Sequence, residues 1–100
     1  MITSKQRAYL RGMANGLQPI FQIGKEGITD VLVSQLSLAL DARELIKVSI
    51  LETALLDTKA AANEIAARLG AESVQAIGSR FVLYRQAPKP QNRKIELPKK

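Results

Sequence analysis

Apolar residues recur at three- and four-residue spacing at the front of the chain, where Ala8, Leu10, Met13, Ala14 and Leu17 fall on one side of a helix. Thr3 and Gln6 fit a capping box ahead of it, and Asn15-Gly16 supplies its stop. The next run, Ile20-Phe21-Gln22-Ile23, is short and reads as a strand. Pro19 stands at its start, and because proline cannot donate to a ladder, an edge strand is expected. A second helix is predicted from Asp30 to about Asp41, capped by Thr29. Ile28, Leu32, Leu36 and Leu40 repeat every fourth residue, and Val31, Val33 and Leu38 widen the apolar arc, so this helix is expected to be well buried. From Leu45 to Leu51 the pattern changes to alternation, with Ile46, Val48 and Ile50 on one face and Lys47 and Ser49 on the other.

Strand, helix and strand make a βαβ unit with a right-handed crossover. A third helix follows over about Asp57 to Leu69, capped by Asp57 or Thr58, rich in alanine and stopped by Gly70. Two further strands, Ser73–Ile77 and Arg80–Arg85, flank Gly78-Ser79 as a hairpin. The order is therefore α-β-α-β-α-β-β, an α+β domain over residues 1–85. After Arg85 the pattern fails. Pro88, Pro90 and Pro98 sit among five cations, with only Ile95 and Leu97 as large apolar residues. Residues 86–100 are expected to be a flexible basic tail.

Composition narrows the chemistry. One hundred residues suffice for one modest core, which aliphatic side chains must build, since 46% of residues are hydrophobic but only 4% aromatic. Cysteine and histidine are both absent. That removes disulfides, thiolate chemistry, the usual general base and the commonest transition-metal ligand. Carboxylates and lysines remain, but Asp41 and Glu44 straddle a helix end and Asp57 looks like a cap. The expectation is a non-catalytic, cytoplasmic protein with no cofactor, no metal, no small-molecule substrate and no membrane span.

The net charge of +6 is unevenly placed. Lys5, Arg7, Arg11 and Lys25 face only Glu26 in the first quarter; Arg80, Arg85, Lys89, Arg93, Lys94, Lys99 and Lys100 face only Glu96 at the end. Between them the chain is mildly acidic. Cations concentrated at both ends favour a polyanionic partner over evenly spread solubilising charge.

Gly24-Lys25-Glu26-Gly27 is where such a partner would be gripped. A strand precedes this two-glycine turn and a Thr29-capped helix follows, so backbone N–H groups face outward where a phosphate can sit. A plain strand-to-helix turn explains the same glycines, and the motif lacks the Lys-Ser/Thr of a nucleotide-triphosphate loop and the third glycine of a dinucleotide fingerprint. Loops of this spacing clamp the nucleic-acid backbone in KH-type modules. Glu26 opposes that use unless it points away.

Three blocks resemble one family. Leu10-Arg11-Gly12-Met13-Ala14-Asn15 with Pro19 to Thr29, then Glu44 to Val48, then Gln75 to Arg85, are similar in content and order to the chloroplast RNA splicing and ribosome maturation domain, in its stand-alone bacterial (YhbY-type) form. The resemblance implies a two-layer fold with a mixed four-stranded sheet in order 1-2-4-3, like the C-terminal domain of translation initiation factor three with an added first helix. It also implies an RNA-binding module that associates with ribosomal RNA of large-subunit precursors as an assembly factor. Gly24, Lys25 and Gly27 are then the RNA-contacting loop and Thr29 its helix cap. Lys5, Arg7, Arg11, Arg80 and Arg85 complete the basic surface of a protein expected to be monomeric. Two departures from the family pattern stand out: Glu26 where many relatives are more basic, and no histidine near Asn15. The rival reading is a protein-interaction module whose basic tail binds an acidic protein or the ribosome surface.

Overall fold

A computed structural model describes residues 2–98; Met1, Lys99 and Lys100 lie outside the described residues. The elements run α1 (Ser4–Ala14), β1 (Phe21–Ile23), α2 (Asp30–Arg43), β2 (Leu45–Ile50), α3 (Thr58–Leu69), β3 (Glu72–Ile77) and β4 (Arg80–Tyr84). Short 3-10 turns at Glu52–Ala54 and Pro90–Asn92 complete them. Among the described residues no helix is long and apolar enough to cross a membrane.

Local chemistry explains the helix starts. Thr3 accepts from the Gln6 amide at 3.1 Å while the Thr3 amide donates to Gln6 Oε1 at 3.0 Å, the reciprocal capping box expected for α1. Thr29 Oγ1 accepts from Leu32 N–H at 3.1 Å at the head of α2, and Asp57 accepts from Ala60 N–H at 2.9 Å at the head of α3. Each side chain satisfies one of the amides that a first helical turn leaves without a partner.

The sheet is mixed, in order β1-β2-β4-β3. β1 pairs parallel with β2, and β2 with β4 and β4 with β3 pair antiparallel. β1 is an edge strand, as Pro19 led one to expect, although the strand itself begins at Phe21. Alternation along the strands gives the sheet two apolar faces. Ile46, Val48 and Ile50 of β2 and Phe81 and Leu83 of β4 meet Leu36 and Leu40 of α2 and Ala61, Ala62, Ile65 and Ala66 of α3. The small alanines let α3 lie close to the sheet. On the opposite face Leu45, Val82, Tyr84 and Val74 are covered by Leu10 and Ala14 of α1.

Two expectations change. Only Leu36 and Leu40 of α2 are buried, and Val31 and Leu38 stand largely in solvent. The row at four-residue spacing packs inward, while β1 is only three residues long and leaves the outer flank of α2 uncovered. Ala8 and Met13, expected inward on α1, are likewise exposed, because the apolar contacts that helix buries against the sheet are those of Leu10 and Ala14.

Residues 86–98 are the larger correction. They were expected to carry no structure, yet they lie along the α1 face of the sheet, with Ala87 buried and Ile95 and Leu97 packed against the cluster of Leu10, Leu45 and Tyr84. Glu44, fully buried at the end of α2, holds them. Its Oε2 accepts from Ala87 N–H at 2.9 Å, and its Oε1 accepts from Lys94 N–H at 2.6 Å and Ile95 N–H at 3.1 Å. Gln6 Nε2 adds a bond of 3.0 Å to the Pro98 carbonyl. Two apolar residues are enough to dock this segment because a buried carboxylate takes up its backbone donors. The expected tail also includes Lys99 and Lys100, which lie outside the described residues.

Candidate functional site

The loop Gly24–Gly27 stands at the C-terminal ends of the parallel pair β1 and β2. Ile23 carbonyl accepts from Leu51 N–H at 2.9 Å there, tying the strand end to the start of the next turn. Gly27 N–H then donates to Gly24 carbonyl at 2.9 Å and closes a tight turn. Among the described residues the backbone amides of Lys25 and Glu26, at the tip, have no acceptor, and both side chains are exposed. Lys25 makes no ion pair among the described residues.

The two glycines are not equivalent. Gly27 has φ of 73°, in the left-handed region where a side chain costs about 1–2 kcal/mol. Gly24 has no such φ, and a Cβ placed on it would meet only Leu51 Cδ1, at the ordinary contact distance of 3.9 Å. The fold favours glycine at the second position and tolerates alanine at the first.

Beside the loop, between β1 and α2, lies a groove of about 410 Å³. Ile23 and Leu32 line it with Val31, Gln22, Gln35 and Glu26. Nothing in the sequence pattern marked Gln22 or Gln35, since only the packing of α2 against the end of β1 brings them together. No lysine or arginine lines this groove, and Glu26 does. An anion is therefore disfavoured on the α2 side of the loop.

The structure gathers Gly24, Lys25, Gly27 and Thr29 into one site, with Thr29 Oγ1 engaged in capping. Arg80 stands exposed at the same end of the sheet, directly after the Gly78-Ser79 turn, whose Ser79 carbonyl accepts from Ile50 N–H at 2.7 Å. Lys5, Arg7 and Arg11 are not brought to the loop. They ride on α1, which covers the Leu45–Tyr84 end of the sheet, and Arg7 donates to the Ser73 carbonyl. Arg11 and Lys5 are exposed.

Arg85 is elsewhere again. Its guanidinium donates to Leu69 carbonyl at 2.9 Å, Ser37 carbonyl at 2.9 Å, Ser37 Oγ at 3.0 Å and Asp41 Oδ1 at 2.8 Å. It ties β4 to the last turn of α3 and the second half of α2, where a cation also suits the helix dipoles. Arg85 is a structural clamp in this fold rather than a free surface charge.

Comparison with known proteins decides the family. The model of the CRS1 / YhbY (CRM) domain matches residues 2–85. The chain belongs to the CRM domain family. Among its relatives, a Bacillus subtilis protein named "Probable RNA-binding protein YqeI" is 43% identical over 98 residues, covering 98% of this chain and all of that one. A Haemophilus influenzae protein named "RNA-binding protein" is 33% identical over 99 residues, covering 99% of this chain and 97% of the other. In three dimensions the CRM fold seen here is similar to the solution structure of SAV1595 from Staphylococcus aureus, described as a candidate RNA-binding protein. The TM-score is 0.81 at 44% identity, over 98% of this chain and all of that one.

Among the described residues of this CRM domain the buried charge is Glu44, where the end of α2 meets residues 86–98. Burial alone would raise the Glu44 pKa, but the amides of Ala87, Lys94 and Ile95 and the nearby Arg93 guanidinium outweigh it and hold the carboxyl below its ordinary value. Tyr84 is pushed up, first by burial and then by the Glu44 charge, with Arg93 opposing.

Proposed function

We propose that this chain binds RNA through the Gly24–Gly27 loop, and that its target is ribosomal RNA of large-subunit precursors, which it serves as an assembly factor. The observation that carries the reading is the loop itself: an exposed turn whose tip amides and lysine have no partner among the described residues, presented at the head of a capped helix. Phosphate oxygens are the ligand such donors suit. Membership of the CRM family and the names carried by the B. subtilis and H. influenzae relatives support RNA as the polyanion. The closed packing of residues 86–98 weakens the rival reading of a freely reaching basic tail.

Crosslinking the protein to RNA in cells and sequencing the bound fragments tests this. Enrichment of large-subunit ribosomal RNA and its precursors is expected; fragments spread in proportion to total RNA would overturn the assignment. Removing residues 86–100 is a poor test of the tail, because it strips Glu44 of its partners and uncovers Leu45 and Tyr84. Replacing the exposed Lys89 and Lys94 by glutamine leaves the packing in place and lowers the net charge of residues 86–100 from +4 to +2. Binding should persist.

A further inference from the structure

The α1 face of the sheet is covered only at one end. α1 rests on the rows that contain Leu45, Tyr84, Val82 and Val74, and it stops at Asn15. Beyond it the strands continue toward the loop with their outward side chains uncovered. Register places Gln22 beside Ser49, Ser49 beside Arg80 and Arg80 beside Ile77, which makes one row across all four strands. In the row between this one and α1, where Val82 is already covered, half-buried Lys47 stands beside Val82, and Val82 beside half-buried Gln75. Lys47, Gln75, Ile77 and Arg80 line a shallow concavity of about 190 Å³ with Asn15 at its rim.

The charge on this strip has one sign. Lys47 and Arg80 make no ion pair or side-chain hydrogen bond among the described residues, and no carboxylate lines the concavity. Strand alternation had already put Lys47 and Ser49 on the outer face, but without the strand order nothing linked them to Arg80 or to the loop. Gln22 makes that link. It is the outward residue of β1, one position before Ile23 and two before Gly24, so it borders the strip and the loop groove alike. Two strand spacings, about 9–10 Å, separate it from the β4 backbone at Arg80. On the other side of the loop Glu26 lines a groove without cations. A phosphate chain gripped at the loop is repelled from the α2 side and attracted across the sheet.

We propose that this uncovered strip is a second contact surface for the RNA, on which the sugar–phosphate backbone of the segment held at the loop continues past Gln22 and Ser49 to Arg80 and Lys47. The inference rests on the reading of the chain as an RNA-binding protein and adds the path of the ligand. No aromatic side chain lies on the strip, so it does not stack bases as the sheet of an RRM does. Arg80 and Lys47 neutralise phosphates, Gln22, Ser49 and Gln75 offer hydrogen bonds, and the exposed Ile77 gives apolar surface to a ribose or base edge.

The test is a salt titration of binding to a fluorescently labelled single-stranded RNA of mixed sequence, comparing the full chain with a Lys47→Gln/Arg80→Gln double variant and with Lys25→Glu. Thermal unfolding of each variant confirms that it is folded. The double variant should bind more weakly, and the slope of log K against log salt should flatten by about 1.4, the value for two contacts on a single strand. Lys47→Arg, which keeps the charge, should bind like the parent. If the double variant retains the parent's affinity and slope while Lys25→Glu loses both, the strip is not a contact surface and the loop reading stands. If the parent itself binds no RNA, the proposed function fails and this inference with it. If polyglutamate competes as well as unlabelled RNA of equal charge, the strip is a general polyanion surface and its assignment to RNA is overturned.

Discussion

Glu44 and Ala87 are joined by a hydrogen bond of 2.9 Å from the Ala87 amide to the Glu44 carboxylate, across 43 positions of sequence. The same carboxylate takes the amides of Lys94 and Ile95, so one buried side chain fastens the whole segment after β4. Glu44 itself has φ of 65°, which a non-glycine residue adopts only when its surroundings hold it there. The strain and the burial are both offset by three charge-assisted bonds.

Replacing Glu44 by alanine leaves three donors without their acceptor, at a cost of roughly 3 kcal/mol or more. Urea unfolding should show the drop, and the amides of Ala87 and Ile95 should lose their hydrogen-exchange protection even where the sheet amides keep theirs. Equal protection in variant and parent would mean that apolar contacts alone hold the segment.

The same group sets an acid limit on stability. Its pKa is lower folded than unfolded, so its contribution is complete above the unfolded value of about 4.3 and is lost as pH falls from there through the folded value. Between pH 5 and 8 Glu44 should add no pH dependence. Below about 4.3 the parent should lose stability more steeply than Glu44→Gln, measured as urea midpoint against pH. Parallel curves would show that Glu44 titrates as an ordinary exposed carboxyl.

How much of this was visible in the sequence depends on the distance between partners. Thr3 with Gln6, Thr29 with Leu32 and Asp57 with Ala60 are pairs three residues apart, and local rules recover all three helix starts. Alternation recovered the faces of β2, and the hairpin at Gly78-Ser79 followed from its turn residues. The clamp made by Arg85 and the hold of Glu44 on residues 86–98 were missed because their partners lie far off: Asp41 is 44 positions from Arg85, and Ile95 is 51 from Glu44. Residues 86–98 look too polar and too proline-rich to pack, and they pack because of a donor–acceptor match that no window of sequence contains. The loop was legible as a motif, whereas its surroundings, the α2 groove and the open strip, depend on strand order.

Arg85 separates stability from binding. Arg85→Gln removes bonds to Ser37, Asp41 and Leu69 and should cost about 2 kcal/mol in urea unfolding. RNA affinity of the folded protein should not change. A variant of parental stability that binds RNA poorly would return Arg85 to the interface.

The loop glycines give a second separation. Gly27→Ala should cost about 1–2 kcal/mol through its φ of 73°. Gly24→Ala should leave the melting temperature within a degree or two of the parent's, because its Cβ meets only Leu51 at 3.9 Å. Under the proposed function Gly24→Ala still weakens RNA binding, since the added methyl stands where the nucleic-acid backbone approaches. Parental stability together with parental affinity would make Gly24 an incidental turn residue.

The most direct test of the loop is Lys25→Glu, a change at an exposed residue with no ion pair among the described residues to lose. Binding to a structured large-subunit ribosomal RNA fragment is measured over a range of salt concentrations for the variant and the parent. The proposed function predicts weaker binding at low salt and a slope of log K against log salt flattened by about 0.7–0.9, one phosphate contact. Equal affinity and equal slope at every salt concentration would contradict it, and Gly24–Gly27 would be a turn and nothing more.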